Sequence, residues 1–409
     1  MIQFKMKKSR RKFIKTSLVS VSGTYLVPQF INTLNAADLS SITSGKKLVI
    51  IQLAGGNDGL NTVVPFRNDR YYQLRPTLGI GKTDLLNLND ELGLNPGLGG
   101  LRKLYDQGYL SIVNGVGYPN PDRSHFRSMD IWHSASDAND YLQTGWLGRY
   151  LDSKCTANCK AHLAIEFDEQ LSLALKGENI KGMAIKDINL LYKSTKGPAI
   201  RKLNDYYKKN HYHFVNENKD FLYKTLAETC SSAEYLFEHS RIHKSKKTYP
   251  NTQFARQLKK ISELIHSGIE TEIFYVSLPG FDTHVRQKGT QEKLLKVYGD
   301  ALLAFVEDLK FNGNFKDTLI LTFSEFGRRV KENASSGTDH GTANNVFVVG
   351  ENLKKPGLFN SLPDLNHLDK GDLIFNTDFR NIYATLLDKW LENDSKKILG
   401  KGFSNLNFI

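Results

Sequence analysis

Downstream of the first forty positions no run of roughly 18 apolar residues occurs, which excludes a polytopic membrane protein. Cysteine is scarce: three in 409 residues cannot build a disulfide mini-domain or an array of zinc modules. Internal repeats and long low-complexity linkers are also missing, so a solenoid reading has no support. A strong basic excess is lacking too, despite a formal net charge of +12. Seven of the 55 Lys and Arg residues fall within positions 1–37, where no acidic residue stands. The remainder holds 48 basic and 43 acidic side chains, a net of +5. A charge of that size aids solubility but is no nucleic-acid footprint. What is present is 40% hydrophobic and 24% charged, ordinary for a globular chain with ample core.

The N-terminus reads as an address. Ser9-Arg10-Arg11-Lys12-Phe13-Ile14-Lys15 precedes a short apolar stretch, Thr16 to Val27, and small residues Ala36-Ala37 follow. Basic, apolar and small segments in that order predict a signal peptide over residues 1–37. The adjacent arginines make it the twin-arginine type, whose partner is the twin-arginine translocase. The expected destination is periplasmic or secreted, with no membrane span in the mature chain. In an oxidising compartment Cys155 and Cys159 are expected to be structural, buried or paired across their short loop, leaving Cys230 alone.

Short β-branched runs bounded by Gly, Asp or Asn predict strands covered on both faces: Lys47 to Leu53, Leu110 to Val113, Ile273 to Leu278, Thr318 to Phe323 and Val346 to Val349. Between them Leu294, Tyr298, Ala301, Leu302, Phe305 and Leu309 recur at helical steps, as do Phe379, Ile382, Tyr383, Leu386, Leu387 and Trp390. Strands alternating with helices predict an α/β fold, a mixed and mostly parallel sheet sandwiched by helices. Residues 45–409 are expected to form one such domain. The stretch from about 196 to 268 shows helical patterns and no convincing strand, and is read as a helical insertion.

In open α/β sheets ligands bind beyond the carboxyl ends of strands. Three strands here each release an acid just past their end: Asp58 in Gly55-Gly56-Asn57-Asp58-Gly59, Asp282 in Gly280-Phe281-Asp282-Thr283-His284, and Glu325 in Ser324-Glu325-Phe326-Gly327-Arg328. If those strands are neighbours, the acids meet at one rim, where their mutual repulsion calls for a cation. His284, and Asp339 with His340 in Gly337-Thr338-Asp339-His340-Gly341, add further ligands. Mixed carboxylate and imidazole ligation suits a divalent ion such as zinc or manganese better than calcium. The Gly-Gly-Asn-Asp-Gly loop lacks the lysine and spacing of a phosphate-binding P-loop, so its glycines are read as turn residues.

Tyr118-Pro119-Asn120-Pro121-Asp122-Arg123-Ser124-His125-Phe126 leaves the second strand and enters a predicted helix. Two readings of Ser124 are open. Its hydroxyl either caps the helix, or it is a nucleophile beside an anion held by the helix N-terminus. Arg123 and Arg127 could then orient the anion through forked hydrogen bonds, with His125 assisting.

The ordered set of motifs resembles a bacterial twin-arginine-exported family, domain of unknown function 1501, grouped with the alkaline-phosphatase and sulfatase-like superfamily. The residues that carry the resemblance are the arginine leader, Gly55–Gly59, Asp122–Phe126, Gly280–His284, Ser324–Arg328 and Gly337–Gly341. The resemblance implies a metal-dependent hydrolase of phosphate or sulfate esters, with a phosphorylated or sulfated small molecule or glycan as ligand. It maps a metal-binding acid onto Asp58, the nucleophile onto Ser124, and two metal sites onto Asp282, His284, Asp339 and His340. One departure stands out: Glu325 occupies a strand end where an Asp-His pair is expected. Either one metal is absent, or the later loop folds back to deliver its ligands. The same departure motivates an alternative, a non-catalytic exported scaffold that binds a protein partner or a surface glycan.

Overall fold

The computed structural model describes residues 45–154, 160–210 and 217–409. The predicted signal segment and the Cys155 and Cys159 loop lie outside them. Nine strands form the main sheet: β1 (Lys47–Ala54), β2 (Leu110–Gly117), β3 (Ala164–Glu166), β4 (Met183–Ala184), β5 (Ile273–Pro279), β6 (Thr318–Phe323), β7 (Asn344–Val349), β8 (Gly357–Leu358) and β9 (Thr377–Asp378). Their order is β8-β2-β7-β6-β1-β5-β3-β4, with β9 also on β2. All pairings are parallel except those of β7, which runs against β2 and β6. The sheet is thus mixed and mostly parallel, as its near-continuous apolar strands require: β1, β2, β6 and β7 are buried almost end to end.

Helices α1 (His125–Ser134), α2 (Gln253–His266), α3 (Gln287–Phe311) and α4 (Phe379–Thr385) are the ones that matter for the site and the core. Alternation along β1 separates two faces. Leu48 and Ile50 share a core with Ile131 and Trp132 of α1 and Phe379, Ile382 and Tyr383 of α4. There Trp132 stacks between Phe323 and Phe379, at centroid distances of 4.8 and 4.3 Å. On α3, Tyr298 is fully buried and donates to Thr322 Oγ1 of β6 at 2.9 Å. β1 lies between β5 and β6, so the three strands that release Asp58, Asp282 and Glu325 are adjacent and end on one edge.

The helical stretch falls into two groups of contacts. Residues Asp187–Glu238 group as a compact unit, whereas α2 belongs to the larger unit. The reason is apolar burial: Phe254, Leu258, Ile261, Leu264 and Ile265 of α2 are all core residues. Within the smaller unit, Ile200, Leu226 and Cys230 form their own cluster, and Tyr192 stacks on Phe237 at 3.9 Å. Among the described residues, no helix is long and apolar enough to cross a membrane.

At the end of β3, Glu166 is 3% exposed and its carboxylate accepts the Ser172 N–H at 2.7 Å. Burial pushes its carboxyl from 4.5 up to about 7. Below about pH 4.5 the group is protonated in both the folded and unfolded states and costs nothing. Between 4.5 and 7 the unfolded chain sheds the proton while the fold keeps it, so stability falls as pH rises. Glu166→Gln, which can still accept the Ser172 N–H, is expected to stabilise the protein by about 2–3 kcal/mol at pH 8 and by nothing at pH 4. Urea unfolding at the two pH values checks this; an equal effect at both would refute it.

Candidate metal centre

Two close backbone approaches build the site. Gly55 takes φ +118°, and a Cβ there would meet the Asp282 nitrogen at 2.4 Å, so only glycine lets the β1 loop lie against the β5 loop. Its N–H then donates to Glu325 Oε1 at 2.8 Å. At Gly337 a Cβ would meet the His284 carbonyl oxygen at 2.1 Å. Asn333 Nδ2 donates to that same carbonyl at 3.0 Å, clamping the 333–340 loop onto the 283–287 loop. The longer loop does fold back after Glu325: Arg328 and His340 form an antiparallel bridge, and Gly341 N donates to Gly327 O at 2.9 Å.

His340 thereby arrives beside Asp282. Its Nε2 lies 3.1 Å from Asp282 Oδ1 and 3.0 Å from His284 Nε2. His284 Nε2 is itself 3.0 Å from Asp282 Oδ1. His125, the first residue of α1, brings its Nε2 to 3.5 Å from Asp282 Oδ2. The ligand atoms of His125, Asp282 and His340 all lie within 4.8 Å of one another. The far nitrogen of each imidazole faces a second partner: His125 Nδ1 meets Glu325 Oε1 at 2.9 Å, His340 Nδ1 the Arg123 carbonyl at 2.8 Å, and His284 Nδ1 approaches Asp339 Oδ1 at 3.6 Å. Such partners orient a ring so that its other nitrogen points at a metal. Phe326, buried, lies 4.9 Å from the His125 ring and 4.7 Å from the His340 ring, a floor for both.

The donor set fits a divalent cation. Among the described residues His125 Nε2 is buried with no hydrogen-bond partner, although a buried polar atom ordinarily has one. Ligands at zinc–nitrogen distances stand about 3.3 Å apart around a tetrahedral ion, close to the spacings here. Electrostatics agree. Burial opposes ionisation of Asp282 most, but hydrogen bonds from Arg328 and His340 hold its carboxyl down at about 2. Burial likewise works against the Glu325 charge, yet the bonds from His125 and the Gly55 N–H keep it below its usual value. Glu325 in turn raises the His125 pKa through their hydrogen bond, against burial.

The residues singled out from sequence are distributed unevenly. Asp282, His284, His340 and His125 come together, with Glu325 and Asp339 behind them as partners of ring nitrogens. Asp58 does not join them. It is 1% exposed, and its Oδ2 accepts from Arg75 Nη1 at 2.6 Å and from Gln287 Nε2, while Oδ1 takes the Leu60 N–H at 3.2 Å. The loop after β1 turns into a short helical turn that Asp58 caps, which points the carboxylate toward Arg75. Arg123 is ion-paired with the buried Asp372. Arg127 is spent on the carbonyls of Asp137, Ala138 and Asp140 and lies 3.9 Å over the Tyr141 ring. Ser124 stands at the N-cap position without capping: its hydroxyl makes no cap hydrogen bond and the residue is exposed. The helix starts with Ser128 N donating to Ser124 O at 2.9 Å, so the N–H groups of the preceding turn face outward without an intrahelical acceptor.

Sequence reasoning missed His125 as a member of the Asp282 and His340 cluster, Phe326 as the floor, and the tasks of two buried arginines. The signal for His125 was its place one residue after Ser124; nothing local marked Arg75. Glu325→Gln is expected to weaken metal affinity 10- to 100-fold while leaving the fold intact, because the amide orients the His125 ring less firmly. Isothermal titration with zinc measures it, and unchanged affinity would remove Glu325 from the site.

Comparison with solved structures gives similarity at low identity. The lipoteichoic acid synthase LtaP from Listeria monocytogenes is 10% identical with a TM-score of 0.36, covering 90% of this chain and 74% of that one. The C-terminal periplasmic domain of EcEptC from Escherichia coli, in complex with Zn, is 10% identical with a TM-score of 0.34, covering 80% and 77%. A protein in the alkaline phosphatase superfamily from Vibrio parahaemolyticus is 11% identical with a TM-score of 0.31, covering 85% and 70%. No curated protein sequence matches the chain. A family model does match, over residues 117–391, which takes in α1, β5, β6 and every member of the His125, Asp282 and His340 cluster. The chain therefore belongs to the family described as "Protein of unknown function (DUF1501)".

Proposed function

We propose that the chain is an exported metal-dependent hydrolase-like protein acting on phosphate or sulfate esters. The observation that carries this reading is the convergence of His125, Asp282 and His340, with the His125 Nε2 atom lacking any other partner, one residue from the uncommitted hydroxyl of Ser124. His125, Asp282 and His340 would hold a zinc or manganese ion, with His284 adjoining; when bound, such an ion polarises the ester oxygens and offsets charge developing on them. The chain's own groups do the rest. Backbone N–H groups at the start of α1 would face the anion, and Glu325 holds the His125 ring in place. Ser124 Oγ would bond to the phosphorus or sulfur as the ester's alkoxide leaves with the serine proton, and water would then cleave the serine ester to free the inorganic anion and restore the hydroxyl.

The mature chain is expected to purify with a divalent ion and to hydrolyse an aryl phosphate or an aryl sulfate. His340→Ala should lose both properties. Metal-free protein that stays inert after zinc or manganese is supplied overturns the reading. Export by the twin-arginine translocase belongs to the same proposal and rests on Arg10 and Arg11. Replacing both with lysine should retain a fused reporter in the cytoplasm.

A second reading, an exported scaffold that binds a partner or glycan without catalysis, draws on two exposed apolar side chains. Phe126, next to His125, is 82% exposed, and Val285, next to His284, is 60% exposed. Metal binding without turnover would favour it.

A further inference from the structure

Two arginines with almost no solvent exposure stand beside the two carboxylates released by β1 and β5. Arg75 donates from Nη1 to Asp58 Oδ2 and to Asn61 Oδ1, both at 2.6 Å, from Nε to Val330 O at 2.8 Å, and from Nη2 to Arg329 O at 2.9 Å. Arg328 donates from Nε to Gly56 O at 2.6 Å, from Nη1 to Thr338 O at 2.7 Å, and from Nη2 to Gly55 O, Phe281 O and Asp282 Oδ1 at 2.6, 2.9 and 2.8 Å. Neither guanidinium can swing away without orphaning several buried carbonyls. Both guanidinium groups are therefore fixed in place at the rim by their buried acceptors.

We infer, resting on the metal reading above, that the centre is mononuclear: one divalent cation belongs to His125, Asp282 and His340, and Arg75 and Arg328 stand where a second ion would need its charge partners. Asp58 is withdrawn from ligation because Arg75 and Gln287 take one carboxylate oxygen and the Leu60 N–H takes the other. Asp282 gives part of its charge to Arg328 and has one carboxylate to share among three imidazoles. Glu325 Oε1 takes His125 Nδ1 and the Gly55 N–H, and its Oε2 accepts from the Ser324 hydroxyl at 3.3 Å. Among the acids of the cluster in the described residues, the one left for another ion is Asp339, more than half exposed, whose Oδ1 already accepts from Asn333 Nδ2 at 3.2 Å. A second dication would have to be held by that one carboxylate and His284, both partly exposed, and two protein donors are fewer than a closed site for a divalent ion supplies. The two arginines supply in fixed form the positive charge that adjacent strand-end acids demand, and they do so without an open coordination position.

The test is stoichiometry. The mature chain, stripped with a chelator, is titrated with zinc alone in a calorimeter, and bound zinc is counted by elemental analysis after dialysis. One tight equivalent per chain is expected. Two tight equivalents overturn the mononuclear inference and leave the metal reading standing; no tight equivalent overturns both. Asp58→Asn, which keeps the size of the side chain, should still bind one equivalent, and His340→Ala should bind none. Loss of zinc by a folded Asp58→Asn protein would return Asp58 to the ligand set and sink the inference. If that variant fails to fold, the count on the unsubstituted chain decides alone.

Discussion

Replacing Ser124 with alanine is expected to reduce ester hydrolysis by a factor on the order of 10³ to 10⁶, the range seen when an attacking side chain is removed and the rest of a site is kept. Zinc stoichiometry and thermal stability should not change. The geometry separates these readouts. Ser124 Oγ makes no cap hydrogen bond and packs into no core, so its loss leaves no orphaned partner. The ring nitrogen that faces Asp282 belongs to His125, one residue on, and its ring is held by Glu325 and the Phe326 floor, not by Ser124. Progress curves on an aryl ester, with parallel metal counts, make the measurement. Retention of more than a tenth of the activity would remove Ser124 from the role of nucleophile. Lost metal would mean that it serves the cluster instead.

The second large effect concerns stability. Arg75→Met leaves the Asp58 carboxylate fully buried without its cation, and breaking a buried pair in this way costs about 3–5 kcal/mol. The carbonyls of Val330 and Arg329 also lose donors, which pushes the cost toward the upper end. The double variant Arg75→Met with Asp58→Asn should recover part of the loss, since the asparagine carries no charge and can still cap the turn through its side-chain oxygen. Denaturant unfolding of the four proteins closes the cycle. A single-variant loss under about 1 kcal/mol, the range of an exposed pair, would show that the ion pair is not the buried strut described here.

Much of the architecture was legible because it depends on short-range pattern. Strands β1, β2, β5, β6 and β7 announce themselves as β-branched runs, since a strand covered on both faces has no polar side to show. The adjacency of β1, β5 and β6 was only a condition in the sequence reading, and the sheet order fulfils it. Helix α2 carries the same periodicity as the helices of 187–238, yet groups with the larger unit. Which core an amphipathic face enters is not written in its period.

Residue types that attract cations are visible in a chain as letters: Asp58, Asp282, Glu325, His284, His340. Residue order alone sets acids after three strand ends, imidazoles in the later loops, and a serine beside a histidine at the start of a helix. Only tertiary structure decided which of them meet. Asp58 turns inward because a helical turn starts at it and Arg75 waits 17 positions later in a buried pocket. His340 reaches Asp282, 58 positions away, because Gly337 and Gly55 permit backbone contacts that any Cβ would forbid. A carboxylate is equally content with a guanidinium or a metal ion, and that choice is made by whichever cation the fold brings within reach.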